Sequence, residues 1–246
     1  MTVSKRETIK AQRTRKKRQQ RMNTLLWVGG FILLLVIILI SPSIYNALKP
    51  AGDFSTITPV PYQLVAGKAI GNPNAKVKIA VYEDFQCPAC KGYTESVEMP
   101  LLTSSYITDG LVYYEFMQYP FLDSQSIAKE SHQAANASMC ALEQDRFWDY
   151  HNIVFINQGN ENSGSYNDKR LQAFAESLGL DMKAFNDCFT ANKYSGDIEA
   201  DYESGVSLGV NRTPSILING SNQFPTYIPT YEELTTAIDA ALQSGG

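Results

Sequence analysis

The sequence predicts an α/β domain of order βαβ, helical block, ββα, carried behind one apolar helix. Three observations predict it. An alternating, β-branched run, KVKIAVYEDF (76–85), leads into a helical pattern opened by Pro88 and then into a second such run, LVYYEFMQYP (111–120). Residues 123–206 then carry apolar side chains at spacings of three and four. A late strand pattern, TPSILING (213–220), and an amphipathic stretch, YEELTTAIDAAL (231–242), close the chain.

The elements follow in order. Residues 1–22 hold nine of the 21 basic residues and one acid, a net +8, and form a basic tail. The remainder holds 12 basic and 24 acidic residues, a net −12. Such a split predicts two environments. Between Arg21 and Lys49 there is no charge, and Leu25 to Ile40 is wholly apolar apart from Gly29 and Gly30. This approaches the roughly 20 residues that a helix needs to cross a bilayer core. Residues 23–45 therefore read as a single transmembrane anchor; a cleaved signal would have a shorter apolar region, of about 7–15 residues. The basic side places the N-terminus in the cytoplasm and the acidic remainder outside it, a single-pass protein of the cell membrane. Beside such a span the basic run speaks for topology and lipid headgroup contact, not for nucleic acid.

Residues 46–75 are rich in proline and read as a linker and an extended entry segment leading into the domain. Val77 to Glu83 is a buried strand. Pro88 suits the first position of a helix, which continues to about Leu101 and bends near Pro100. Strand, helix and second strand make a right-handed βαβ unit. Residues 76–122 and 207–243 thus form one core and residues 123–206 an all-helical insertion, interrupted by the polar GNENSGSYND (159–168). NQFPTYIPT (222–230) is a partner strand or a turn.

The chemistry sits in DFQCPACKGY (84–93). The chain has four cysteines, Cys87, Cys90, Cys140 and Cys188, and an exported domain lies where disulfides persist. Cys87 follows a strand and precedes Pro88, at the positive end of a helix dipole that favours its thiolate. Cys90 lies nearly one turn up the same face. The spacing divides the roles: Cys87 attacks or is attacked, and Cys90 resolves the mixed disulfide. A permanent bridge there would close a very short loop and contribute little stability. A four-cysteine zinc site is the other possibility, but Cys140 and Cys188 are isolated on separate predicted helices. His132 and His151 lie on amphipathic helices with no carboxylate triad nearby, and no metal site or cofactor is expected.

GNPNAKVKIAVYEDFQCPAC (71–90), ANASMCALEQDRFWDYHNIVFINQ (135–158) and GVNRTPSILING (209–220) together resemble a DsbA-like thiol–disulfide oxidoreductase of the thioredoxin superfamily. The resemblance covers about residues 65–243. It implies a thioredoxin fold with a helical insertion, and a cis Pro214 set against Cys87, with the Thr213 backbone presented to substrate. Many members carry a buried acid six residues before the first cysteine; Val81 stands there, and Glu83 and Asp84 are expected on other faces or nearer the surface. Ala89 replaces the histidine that strong oxidants often carry between the cysteines. Arg212, beside Thr213, could supply the missing positive charge or be a plain loop residue. Related members carry a second cysteine pair in the helical block, which implies a structural Cys140–Cys188 bridge worth about 3–4 kcal/mol; two buried free thiols are the alternative. The implied function is an oxidase that donates the Cys87–Cys90 disulfide to exported cysteine-containing proteins and is reoxidised by a membrane partner. A reductase or isomerase of the same fold, or a non-enzymatic assembly or metal-delivery factor, are the alternatives.

Overall fold

The computed structural model describes residues 15, 16, 18, 21–38 and 51–244. Most of the basic tail and the last part of the predicted anchor, 39–45, lie outside the described residues. Two units are distinguished, 1–50 and 51–246. In the first, α1 (Arg21–Ile38) is 18 residues of helix, long and apolar enough to cross a membrane. Its large apolar side chains, Leu25, Trp27 and Phe31 among them, are exposed.

The second unit is built on a six-stranded sheet of order β1–β2–β4–β3–β5–β6. The strands are β1 (Val65–Ala66), β2 (Ala69–Gly71), β3 (Val77–Glu83), β4 (Val112–Gln118), β5 (Ser215–Ile218) and β6 (Ser221–Asn222). β3 and β4 run parallel, from Val77 opposite Val112 to Glu83 opposite Gln118, and β5 lies antiparallel on the other side of β3. β3 is therefore central. From Val81 onward it is buried on both faces, because helices cover the sheet on either side.

The sequence assigns 46–75 to a linker and an extended entry segment, and the end of that segment is paired into the sheet. β1 and β2 form a hairpin, and β2, fully buried, pairs with β4 through Ala69–Glu115 and Gly71–Tyr113. Lys68 fixes this hairpin to the far side by an ion pair with Asp201 at 2.6 Å. Gly71 is required at its place: a Cβ there would come within 2.2 Å of the Val112 carbonyl.

Between β3 and β4 run α2 (Pro88–Tyr93), a π-helical stretch (Thr94–Glu98), α3 (Met99–Leu102) and the short α4 (Ser105–Thr108). The sequence places a bend near Pro100. The irregularity lies one turn earlier: Met99 N–H reaches the Thr94 carbonyl. Proline lacks the N–H that would continue the ordinary ladder, and the wider π turn precedes it.

The helical block comprises α5 (Glu130–Leu142), α6 (Phe147–Ile156), α7 (Asp168–Ser177), α8 (Met182–Thr190) and α9 (Ser195–Ser207). α10 (Tyr231–Gln243) closes the chain behind a capping box of Thr230 and Glu233. The block shares one hydrophobic core with the sheet, where Val81, Tyr114 and Phe116 join Phe147, Phe155, Phe174 and Phe185. α9 packs on the opposite face, against Tyr82 and Tyr119, at a glycine: a Cβ on Gly205 would lie 2.7 Å from the Tyr119 ring.

Cys140 on α5 and Cys188 on α8 are joined by a disulfide across a separation of 48 residues. Both are buried. Removing it frees the unfolded chain more than it disturbs the packed sulfurs. Denaturant unfolding of Cys140→Ala/Cys188→Ala should show a loss of about 3–4 kcal/mol with the Cys87–Cys90 chemistry retained; a loss below about 1 kcal/mol would count against an entropic staple.

Candidate active site

β3 delivers the chain to Asp84, and within four residues it becomes α2. Cys87 is the N-cap of that helix, with extended backbone, and Pro88 opens the first turn. The Cys87 carbonyl accepts from the amides of Cys90 at 3.0 Å and Lys91 at 3.2 Å. Cys87 is 9% exposed and Cys90 fully buried; both carry free thiols. The Thr213–Pro214 peptide is cis. It sets the Thr213 carbonyl 3.4 Å from the Cys87 sulfur, which donates to it.

The two sulfurs face opposite electrostatics. The neighbouring Cys90 thiol, then the Thr213 side chain and the backbone amides of Cys90 and Ala89, bring the Cys87 pKa down to about 6 against the effect of burial. Burial, the Cys87 sulfur and Glu83 push Cys90 well above its ordinary value. Cys87 is thus the thiolate and Cys90 the protonated partner.

Glu83 is the residue that the sequence argument misplaced. It is 1% exposed, inside the fold beneath α2. Val81 occupies the position where relatives carry an acid, and two residues on along the same face of β3 stands Glu83. Its carboxyl oxygens make no hydrogen bond among the described residues. Burial, Glu98 and Cys87 raise it well above the usual carboxylate range, while the Cys90 thiol and the Thr94 hydroxyl oppose that rise. A protonated carboxyl beside a buried thiol is an acid poised for proton exchange with it. Asp84 is buried as well, but its work is structural: its oxygens accept the amides of Gln86 and Leu122, both at 2.8 Å. Burial brings its pKa up to about 7.

The turn is held from outside by the helical block. Gln158 donates to the carbonyls of Phe85 at 2.7 Å and Cys87 at 3.0 Å. The Tyr166 hydroxyl reaches Phe85 O at 3.0 Å. Gln86 accepts from the Asn162 amide and donates to Ser131. These residues belong to the polar stretch after α6 and to α5, and their composition alone carries no sign of the role.

Arg212, for which the sequence leaves a charge role and a plain loop role open, donates its guanidinium to the carbonyls of Phe224 at 2.8 Å and Tyr227 at 2.6 Å, bracing that loop. His132 meets Asn192. His151 is packed inside the fold, fully buried and 3.3 Å from Glu98. Among the described residues no group of three or more His, Cys, Asp or Glu gathers as a metal site, and the Cys140–Cys188 bridge takes two sulfurs from the four-cysteine alternative.

The sequence matches the family described as Thioredoxin over residues 64–240. The chain belongs to the thioredoxin family. Among curated relatives it is 24% identical over 223 residues to a probable disulfide bond formation protein D of Bacillus anthracis, covering 90% of this chain and 98% of that one. A protein of the same description from Bacillus cereus is 26% identical over 218 residues, covering 88% and 94%. The solved structure of oxidised BdbD from Bacillus subtilis superposes with a TM-score of 0.61 at 21% identity, over 72% of this chain and 93% of that one, and shows the same fold. Together these matches make the chain a DsbA-like thiol–disulfide oxidoreductase of the thioredoxin superfamily.

The depressed Cys87 pKa has a consequence for stability. Between about pH 6 and the ordinary thiol value, here 9.0, the reduced folded chain has lost a proton that the unfolded chain keeps. The stabilisation is complete above the unfolded value and is lost as pH falls through about 6. The thermal midpoint of the reduced protein, relative to the oxidised one, should therefore climb from pH 6 to pH 9 and be flat below. A Cys87→Ser variant should lose that climb.

Proposed function

We propose that this oxidoreductase works outside the cytoplasm as an oxidase of exported proteins, tethered by α1. The observation that carries the reading is the opposition of the two thiols: Cys87, held near pH 6 at a helix N-terminus, beside a fully buried Cys90 that resists ionisation. A stabilised Cys87 thiolate favours the dithiol form and makes the disulfide a stronger oxidant.

In the proposed cycle a substrate thiolate attacks the Cys87 sulfur of the Cys87–Cys90 disulfide. The S–S bond breaks, its electron pair goes to Cys90, and Glu83 supplies the proton that the buried sulfur needs. A second substrate thiolate then attacks the substrate sulfur of the mixed disulfide. Cys87 leaves as thiolate, the substrate gains a disulfide and the enzyme becomes a dithiol. The Thr213 backbone offers the substrate chain an extended partner beside Cys87, and Pro88 and Ala89 keep the approach free of charge. A membrane protein that accepts two electrons would restore the disulfide. The α1 helix and the basic residues before it support a single crossing with the N-terminus in the cytoplasm.

Ala89 favours a second reading, since it adds no cation to help the thiolate; a reductase would then be expected. The potential decides between them. Equilibrated with glutathione, an oxidase should lie at or above about −180 mV, and a value near about −270 mV, that of thioredoxin, would make it a reductase. Cys87→Ser should be inactive, whereas Cys90→Ser should accumulate mixed disulfides with exported proteins. Absence of such adducts would remove the thiol-exchange reading itself. Protease added to intact spheroplasts should digest the domain; protection would reverse the topology.

A further inference from the structure

Behind the cysteines lies a second buried group of titratable side chains for which the thiol chemistry has no stated use. Glu98, in the π-helical stretch, is 0% exposed, and so is His151 on α6. The Tyr114 hydroxyl on β4 donates to one Glu98 oxygen at 2.7 Å. His151 Nε2 stands 3.3 Å from the other, at ion-pair distance but outside hydrogen-bond geometry. His151 Nδ1 meets the Asn152 side chain at 3.0 Å, and Asn152 in turn reaches the Tyr62 hydroxyl from the segment before β1. Tyr93 on α2 completes the lining, fully buried with Tyr114. Two carboxyls, Glu83 and Glu98, thus share one interior with Cys87, Cys90, a single imidazole and three phenols.

Two carboxylates in one buried space cannot both ionise cheaply. Their surroundings assign the charge. Glu98 accepts from the Tyr114 hydroxyl on one oxygen, which suits a carboxylate. Neither oxygen of Glu83 has a hydrogen-bond partner of good geometry among the described residues, which suits the neutral acid. We propose that Glu98, held by Tyr114, is a positioning residue whose buried negative charge keeps the proton on Glu83 until Cys90 needs it. This rests on the reading of Glu83 as the acid for Cys90. The influence of Glu98 on Glu83, second only to burial itself, agrees with the geometry. The step balances: the proton moves from the Glu83 carboxyl to the Cys90 sulfur as the Cys87–Cys90 bond breaks, and no charge leaves Glu98.

The arrangement also explains why the π stretch lies where it does. It carries Glu98 at its end and Thr94 at its start, and Thr94 is the hydroxyl that faces Glu83. The irregular turn brings both ends of one short segment to the same buried carboxyl.

The test uses the full chain in detergent, oxidised so that neither cysteine titrates, with carbon-13-labelled glutamate carboxyls and Glu83 assigned through Glu83→Gln. In Glu98→Gln, which keeps the acceptor for Tyr114, the Glu83 midpoint should move to lower pH. Glu98→Asp, which keeps the charge, should move it less. If Glu98→Gln does not fold, the double variant Glu98→Gln/His151→Gln, which removes the carboxyl together with the imidazole facing it, serves and should lower the Glu83 midpoint too. An unchanged or raised midpoint in the folded variant overturns the proposal. The second readout is single-turnover reduction of the Cys87–Cys90 disulfide by dithiothreitol, corrected for the reductant's own thiolate. Its alkaline limb should move to lower pH in step with the carboxyl. A carboxyl that moves without the rate profile would overturn the role of Glu83 towards Cys90, while mixed-disulfide trapping in Cys90→Ser tests the cysteines separately.

Discussion

Between Glu83 and Pro88 the backbone leaves the centre of the sheet and enters a helix, and its carbonyls and amides find few partners in either element. Buried polar groups left unpaired cost about 1–3 kcal/mol each. The remedy is external. Asp84 takes two amides, Gln158 gives to two carbonyls, Tyr166 to one, and Gln86 is clasped by Asn162 and Ser131. The helical block is thus no appendage to the sheet. It supplies the hydrogen bonds without which the turn that presents Cys87 could not be buried, and it shares the same apolar core.

Burial then does chemical work on the groups that the turn carries. Cys87 remains at the helix N-terminus, where amides and the Thr213 carbonyl surround its sulfur. Cys90 and Glu83 lie one layer deeper, where charge is disfavoured. The same low dielectric therefore separates two identical thiols into one that favours its thiolate and one that keeps its proton. Arg212 donates to the carbonyls of Phe224 and Tyr227 and braces the loop between β6 and α10.

Much of this is visible in the residues. The alternation of KVKIAVYE marks β3 because β-branched residues fill both faces of a covered central strand, and Pro88 marks the start of α2 because only an N-terminal turn tolerates it. The pairing of Cys87 with Pro214 was legible through family likeness, since nothing local in TPSILING points to a partner more than a hundred residues away. β1 and β2 were missed because two- and three-residue strands have no periodicity to detect. Glu83 was missed for a different reason: the strand pattern does place it on the face of Val81, but whether that face is dry is decided by helices distant in sequence. The long-range clamps of Gln158 and Tyr166 leave no mark on their own segment.

That segment, 157–166, has the composition of an ordinary surface loop, rich in Asn, Gly and Ser, and loops of that kind normally accept changes of length. This one is a ruler. Gln158, Asn162 and Tyr166, spaced four residues apart, all converge on residues 85–87. Deleting or inserting one residue between them would put every later contact out of step. Length variation among descendants of this chain should accordingly be purged here, so that the stretch least informative in composition becomes one of the most constrained in length.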